Sequence, residues 1–109
     1  MKIALIGSTQ YTFRFAAHAQ QLQSDGHEVK LPAFDHHPGL DVLGVCAHNR
    51  DIITWADEVH LLWDNRSSGT IFDFGMVFAL RKPFKIIYME TKTFQGLMEA
   101  YESQCGEIQ

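Results

Sequence analysis

"EVHLLWDNRSSGTIFDFGMVFALRKPFKIIYM", residues 58–89, is the stretch on which the fold turns. It opens with Glu58 to Trp63, rich in large apolar side chains, and closes with a second such run, Phe84 to Met89. Near-continuous apolar runs suit strands buried on both faces, as in parallel sheets. Between them stand a polar turn, Arg66-Ser67-Ser68-Gly69, and an apolar stretch, Thr70 to Leu80, which Lys82-Pro83 ends. Strand, helix and strand in that order predict a crossover joining parallel strands, with the helix over 70–81. A helix this apolar is expected to be buried. Its interruptions are Gly75 and one acid, Asp73, set between Phe72 and Phe74. Lone carboxylates are rarely buried, so Asp73 needs an explanation.

The same rhythm extends in both directions. "KIALIG", residues 2–7, reads as a central parallel strand. A helix follows over 11–24, with Phe15, Ala19 and Leu22 on one face and Asp25-Gly26 as its stop. "HEVKLPA", residues 27–33, is a short strand, and "FDHHPGLDVLG", residues 34–44, reads as a loop. A helix is expected over 45–55, and another in "TFQGLMEAYESQ", residues 93–104. The expected fold is α/β: a Rossmann-like or flavodoxin-like parallel sheet of four to five strands, helices on both faces, in one domain over 1–109. Such sheets bind ligands beyond the carboxyl ends of their strands. The loops there are "GSTQY" (7–11), "FDHHP" (34–38), "WDNRSSGT" (63–70) and "METKT" (89–93).

Composition removes several function classes. The chain has 109 residues, is 46% hydrophobic and carries a formal charge of -4. It has no field to neutralise phosphates, which argues against a nucleic-acid polymer or an anionic membrane as partner. No apolar run approaches the roughly 20 residues of a membrane span. "MKIALIGS" is too short in its apolar part for a signal peptide and reads better as the first strand. Cys46 and Cys105 form no CxxC, which suggests a reduced, cytoplasmic setting.

Chemistry-bearing residues fall in the loops. Gly7, Ser8 and Thr9 precede a helix and offer amides and hydroxyls to an anion or a sugar, or a plain cap. Ser67, Ser68 and Gly69 stand the same way before the apolar helix, where free amides and the dipole favour phosphate. There is no GxGxxG, so no dinucleotide fingerprint and no cofactor is expected. His36 and His37 are adjacent and point apart in an extended loop, with no zinc-like spacing nearby, so they read as a solvated loop or a substrate contact rather than a metal site. For Asp73, Thr70-Ile71-Phe72-Asp73 fits a capping box, with Thr70 as the cap, although Asp is short for the return bond. The other reading is a site carboxylate aimed across the strand ends.

With "IALIGS" at the start, "ADEVHLLWDNRSSGTIFDFGMVFALRKPFKII" resembles the nucleoside 2-deoxyribosyltransferase superfamily, which includes the 2'-deoxynucleoside 5'-monophosphate N-glycosidases. The pattern is strand, Ser/Gly turn, aromatic-acid-x-Gly, small-residue helix and Lys-Pro before a strand. The resemblance covers residues 1–90 and is most specific over 56–87. It implies that Asp73 stands where the family has a glutamate nucleophile, which attacks C1' of the sugar and expels the base. It implies a general acid eight positions before Asp57, where this chain has Asn49; Asp51 and Asp64 are possible substitutes. Ser67 falls where the monophosphate hydrolases carry a phosphate-holding serine and the transferases an acid, so the resemblance leans toward a nucleotide. Ser8 would hold the sugar, Tyr11 or Trp63 would either stack the base or serve as core aromatics, and Gly75 would let the helix crowd the sheet or ligand. A homodimer or higher homo-oligomer, with neighbours completing the site, is implied as well. The rival is a non-catalytic nucleotide-binding module with a degenerate site.

Overall fold

The structure is a computed structural model that describes residues 1–33, 38–63 and 67–89. The elements are β1 (Lys2–Gly7), α1 (Thr12–Ser24), β2 (Glu28–Lys30), α2 (Val42–Trp55), β3 (Glu58–Trp63), α3 (Ser68–Ala79) and β4 (Phe84–Met89). All four strands are parallel, in the order β2-β1-β3-β4. That order is doubly wound, and the sense of winding along the sheet reverses between the adjacent strands β1 and β3. The expected α/β class and the central place of the first strand are what the structure has.

Alternation along the central strands divides the core. Ala4 and Ile6 of β1 and Val59, Leu61 and Trp63 of β3 face α2 and α3, packing with Ile52, Ile53, Phe74 and Val77. Ile3, Leu5 and Leu62 face the other way, toward Phe15, Ala19 and Leu22 of α1. All six residues of β3 are buried, as a strand covered on both faces requires. Helices therefore lie on both faces of the sheet.

Several expectations needed correction. The second helix begins at Val42, not at 45, because Asp41 caps it: its side chain accepts the Gly44 amide at 2.7 Å. Gly44 reads as a loop signal in sequence, yet a Cβ there would lie 3.0 Å from the Asp41 carboxylate, so the glycine leaves room for the cap. The third helix starts at Ser68, two residues early, with Ser67 and not Thr70 as its cap; the Ser67 hydroxyl accepts the Thr70 amide at 3.2 Å. Asp73 is thus in the second turn, outside any capping box. Nor is this helix buried all round: Phe72 and Phe78 are more than half exposed. Gly75 does not crowd the sheet, since a Cβ there would meet nothing within 4 Å.

The ends of α3 explain the Lys-Pro pair. Arg81 takes a left-handed φ of 54°, and the Lys82 amide reaches back to the Val77 carbonyl, closing the helix. The Lys82 ammonium then donates to the Thr54 and Ala56 carbonyls at 2.9 and 2.8 Å, placing a cation at the carboxyl end of α2. The predicted helix over 93–104, Cys105, Asp64 and the His36-His37 pair lie outside the described residues.

Candidate functional site

Beyond the carboxyl ends of β1 and β3 lies a cavity of about 520 Å³. One wall is polar, made by Gly7 and Ser8 after β1 and by Ser67, Ser68, Gly69 and Thr70 at the start of α3. The other is apolar, with Val42, Val45 and Cys46 of α2, Ala33, and Phe72 of α3. Asn49 and Asp73 line it as well. The cavity therefore occupies the place where doubly wound sheets bind ligands.

Gly7 is fixed by a close approach. A Cβ there would fall 2.5 Å from the Leu62 carbonyl oxygen and 2.9 Å from the Phe15 ring, and its φ is +155°. Ser8 shapes the single 3-10 turn Thr9–Tyr11: its carbonyl accepts the Tyr11 amide at 3.1 Å, and its hydroxyl the Gln10 amide at a long 3.4 Å. Local turn formation thus occupies Ser8, while its residue still borders the cavity.

At α3, the Ser67 hydroxyl oxygen accepts the Thr70 amide, which leaves the hydroxyl a proton to donate. Ser68 and Gly69 lie in the first turn, where helix amides have no intrahelical acceptor. Thr70 is 1% exposed, and its hydroxyl has no hydrogen-bond partner among the described residues. An unmet buried hydroxyl costs about 1–3 kcal/mol. The sequence offered Thr70 as a cap; in the structure Thr70 borders the cavity with its hydroxyl oxygen buried.

Asp73 is 5% exposed, deep in the cavity wall. The Asn49 amide nitrogen donates to Asp73 Oδ2 at 3.2 Å. Its other hydrogen goes to the Ala33 carbonyl at 3.1 Å, while Asn49 Oδ1 accepts the Ala33 amide at 2.8 Å. This two-way pairing fixes the amide's orientation and pins the chain after β2 to α2. Both amide hydrogens are committed, and an amide is no acid. Asn49 positions Asp73; it does not supply a proton.

The remaining expected residues lie elsewhere. Tyr11 is not at the cavity: it is buried, packs edge-on against Tyr88, and donates its hydroxyl to the Trp63 carbonyl at 3.2 Å. Trp63 is fully buried against Phe74. Neither ring can stack a ligand, and Phe72 is the aromatic residue the cavity does present. Asp51 is exposed beside Arg50, away from this cavity. Asp57 accepts the Lys2 amide at 2.9 Å, at the opposite end of the strands.

A second buried polar group, on the other face of the sheet, escaped the sequence reading. His60 contacts Glu58 through Nε2 and His18 of α1 through Nδ1, both at 2.7 Å. Glu58 and His60 are 7% and 4% exposed. The signal was present in "EVH": two polar residues at i and i+2 point to one face of a buried strand.

Compared with protein-family models, with curated proteins and with solved structures, the chain matches none. No helix among the described residues is long and apolar enough to cross a membrane.

Proposed function

We propose that the cavity binds a 2'-deoxynucleotide or deoxynucleoside and that Asp73 cleaves its N-glycosidic bond, handing the sugar to water or to a second base. The observation that carries this reading is the position of Asp73, a buried carboxylate held by Asn49 in the wall of a cavity that also holds a helix N-terminus. An Asp73 oxygen attacks C1', the C1'–N bond breaks toward the base, and a sugar ester forms; water or an acceptor base then releases the sugar and frees the carboxylate. The amides of α3 with Ser67 and Thr70 favour a 5'-phosphate. The apolar wall of Val42, Val45, Cys46 and Phe72 suits a base. Asp64 stands in the same expectation as a source of the proton for the departing base. A reduced cytoplasmic setting fits the reading.

The rival, a nucleotide-binding module without turnover, is favoured by Asn49, which stands where the resemblance puts an acid and has no proton to give. Incubation of a deoxynucleotide panel, followed by chromatography for free base, separates the two. Base release supports the enzyme, whereas tight binding without release supports the module. A 2'-fluorinated sugar analogue adds its mass to Asp73 only in the enzyme.

The partner in this reading is a second copy of the chain. Val42, Leu43, Ile71, Phe72, Phe78 and Leu80 are exposed along α2 and α3. Large apolar side chains left exposed in this number are what an interface buries. The face is symmetric about exposed Gly75, with Phe72 and Phe78 three residues to either side. A two-fold axis at Gly75 would set each phenylalanine against the other's mate. Val42 and Phe72 also line the cavity, so such a partner would close its rim. Light scattering should give a dimer for the wild type and a monomer for Phe78→Glu; a monomeric wild type would remove the second copy from the proposal.

A further inference from the structure

The Glu58–His60–His18 chain lies on the α1 face of the sheet, away from the cavity, and the proposed chemistry does not use it. Its hydrogen bonds fix where the protons are. Glu58, when ionised, only accepts, so His60 Nε2 carries a hydrogen. In the neutral ring His60 Nδ1 is then an acceptor, so the hydrogen between the two histidines belongs to His18 Nε2. His18 Nδ1 is left as the basic end of the chain, on the part-exposed residue. Among the described residues, the charged and titratable groups acting on His60 are Glu58 on its own strand, His18 from α1, Lys85 from β4 and His27 ahead of β2, while β1 supplies apolar Leu5.

Adding protons to this chain has two different consequences. The first goes to His18 Nδ1, which keeps both hydrogen bonds and sets a positive ring at the end of a chain that begins in a carboxylate. A proton added to His60 goes to Nδ1, the atom that accepts from His18. Two N–H groups would then face each other across 2.7 Å. That contact cannot persist, while His60 Nε2 still holds Glu58. The gap opens between sheet and helix, not within the sheet.

We propose that this chain is an acid-sensitive latch: it holds the middle of α1 on the sheet through one added proton and releases it when His60 Nδ1 takes a second. Burial pushes both imidazoles below their ordinary range, with Glu58 acting against burial at His60, so the latch is closed at neutral pH. Release frees α1, which follows the cavity residues Gly7 and Ser8 through the turn Thr9–Tyr11.

Nitrogen NMR of the full chain tests the proton positions, and amide hydrogen exchange across α1 tests the release. At neutral pH both histidines should show protonated Nε2 and bare Nδ1; a protonated His60 Nδ1 there would overturn the latch. On acidification His18 should titrate first, and α1 protection should fall only as far as its own lowered proton affinity requires. Protection should then fall about tenfold per pH unit as His60 titrates, the slope of one linked proton. His60→Gln cannot take the proton and should remove that slope. His18→Gln should remove it too, because its amide can rotate to accept from a protonated His60. An equal slope in wild type and in either folded variant, or no slope in the wild type, would refute the proposal.

Discussion

Two buried carboxylates sit on opposite faces of one sheet and differ in what surrounds them. Asp73, on α3, is 5% exposed, meets an asparagine amide at 3.2 Å and borders a cavity of about 520 Å³. Glu58, on β3, is 7% exposed and meets the His60 imidazole at 2.7 Å, a ring that is itself sealed under α1. Burial is therefore not what marks a carboxylate for chemistry. Asp73 has a fixed donor on one side and ligand-sized space on the other. Glu58 spends its charge on a ring that passes the contact to a helix, which is a packing arrangement responsive to protons.

The largest test breaks the comparison at the cavity. Asp73→Asn should lower base release on the order of 10⁴-fold or more, as loss of a nucleophile does. Glu58→Gln should leave base release near the wild-type rate; equal losses in both assays would erase the distinction between the two faces. Asn49→Asp comes next. It sets a second carboxyl about where the amide now meets Asp73, and two carboxyls that close share a proton. If a missing acid limits turnover, base release should rise about 10²-fold, the low end of general acid catalysis. An unchanged rate with intact fold would mean that proton supply is not the limit.

A smaller effect is expected at the phosphate wall. Ser67→Asp keeps a good cap for α3 but places a negative charge beside the anion, so monophosphate binding should weaken about tenfold or more while nucleosides bind as before. Parallel loss for both ligands, read by calorimetry, would remove the phosphate from that wall.

On the other face the readout is stability against pH. His18 and His60 are held below their ordinary value of 6.5, so below that pH the unfolded chain binds protons that the folded chain does not. Stability should be level on their account above pH 6.5 and fall as the pH drops through their lowered values. His60→Gln should flatten part of that decline in denaturant titrations, and an identical decline would separate it from these rings. The smallest effect is at Gly75, exposed, where a Cβ would meet nothing within 4 Å. Gly75→Ala should stabilise the monomer by about 0.5–1 kcal/mol, since a helix interior favours alanine. A loss of stability would mean that the position is covered.

Local pattern carried much of the architecture. Continuous apolar runs in "KIALIG", "EVHLLW" and "FKIIYM" and the Phe15, Ala19, Leu22 stripe are properties of short segments, so strand, helix and parallel class could be read from the chain alone. The oddity of Asp73 was legible too, because a lone acid among phenylalanines is visible without coordinates. What surrounds it was not. The capping box that Thr70 offered gave way to Ser67, since a helix start depends on the turn geometry before it and two adjacent serines compete for the role. Tyr11 could be read as a base-stacking ring or a core aromatic; its ring lies in the core and its hydroxyl on the Trp63 carbonyl, 52 residues away. Asn49 reaches Asp73 across 24 residues and Ala33 across 16, and His18 reaches His60 across 42. Such pairings arise when a crossover brings two helices to one sheet face or sets a helix over a strand. The sequence determined which segments pack as strands and helices because burial follows local periodicity. Only the tertiary structure decided which polar atoms meet, because hydrogen bonds need contact within about 3 Å, and chain spacing does not encode that distance.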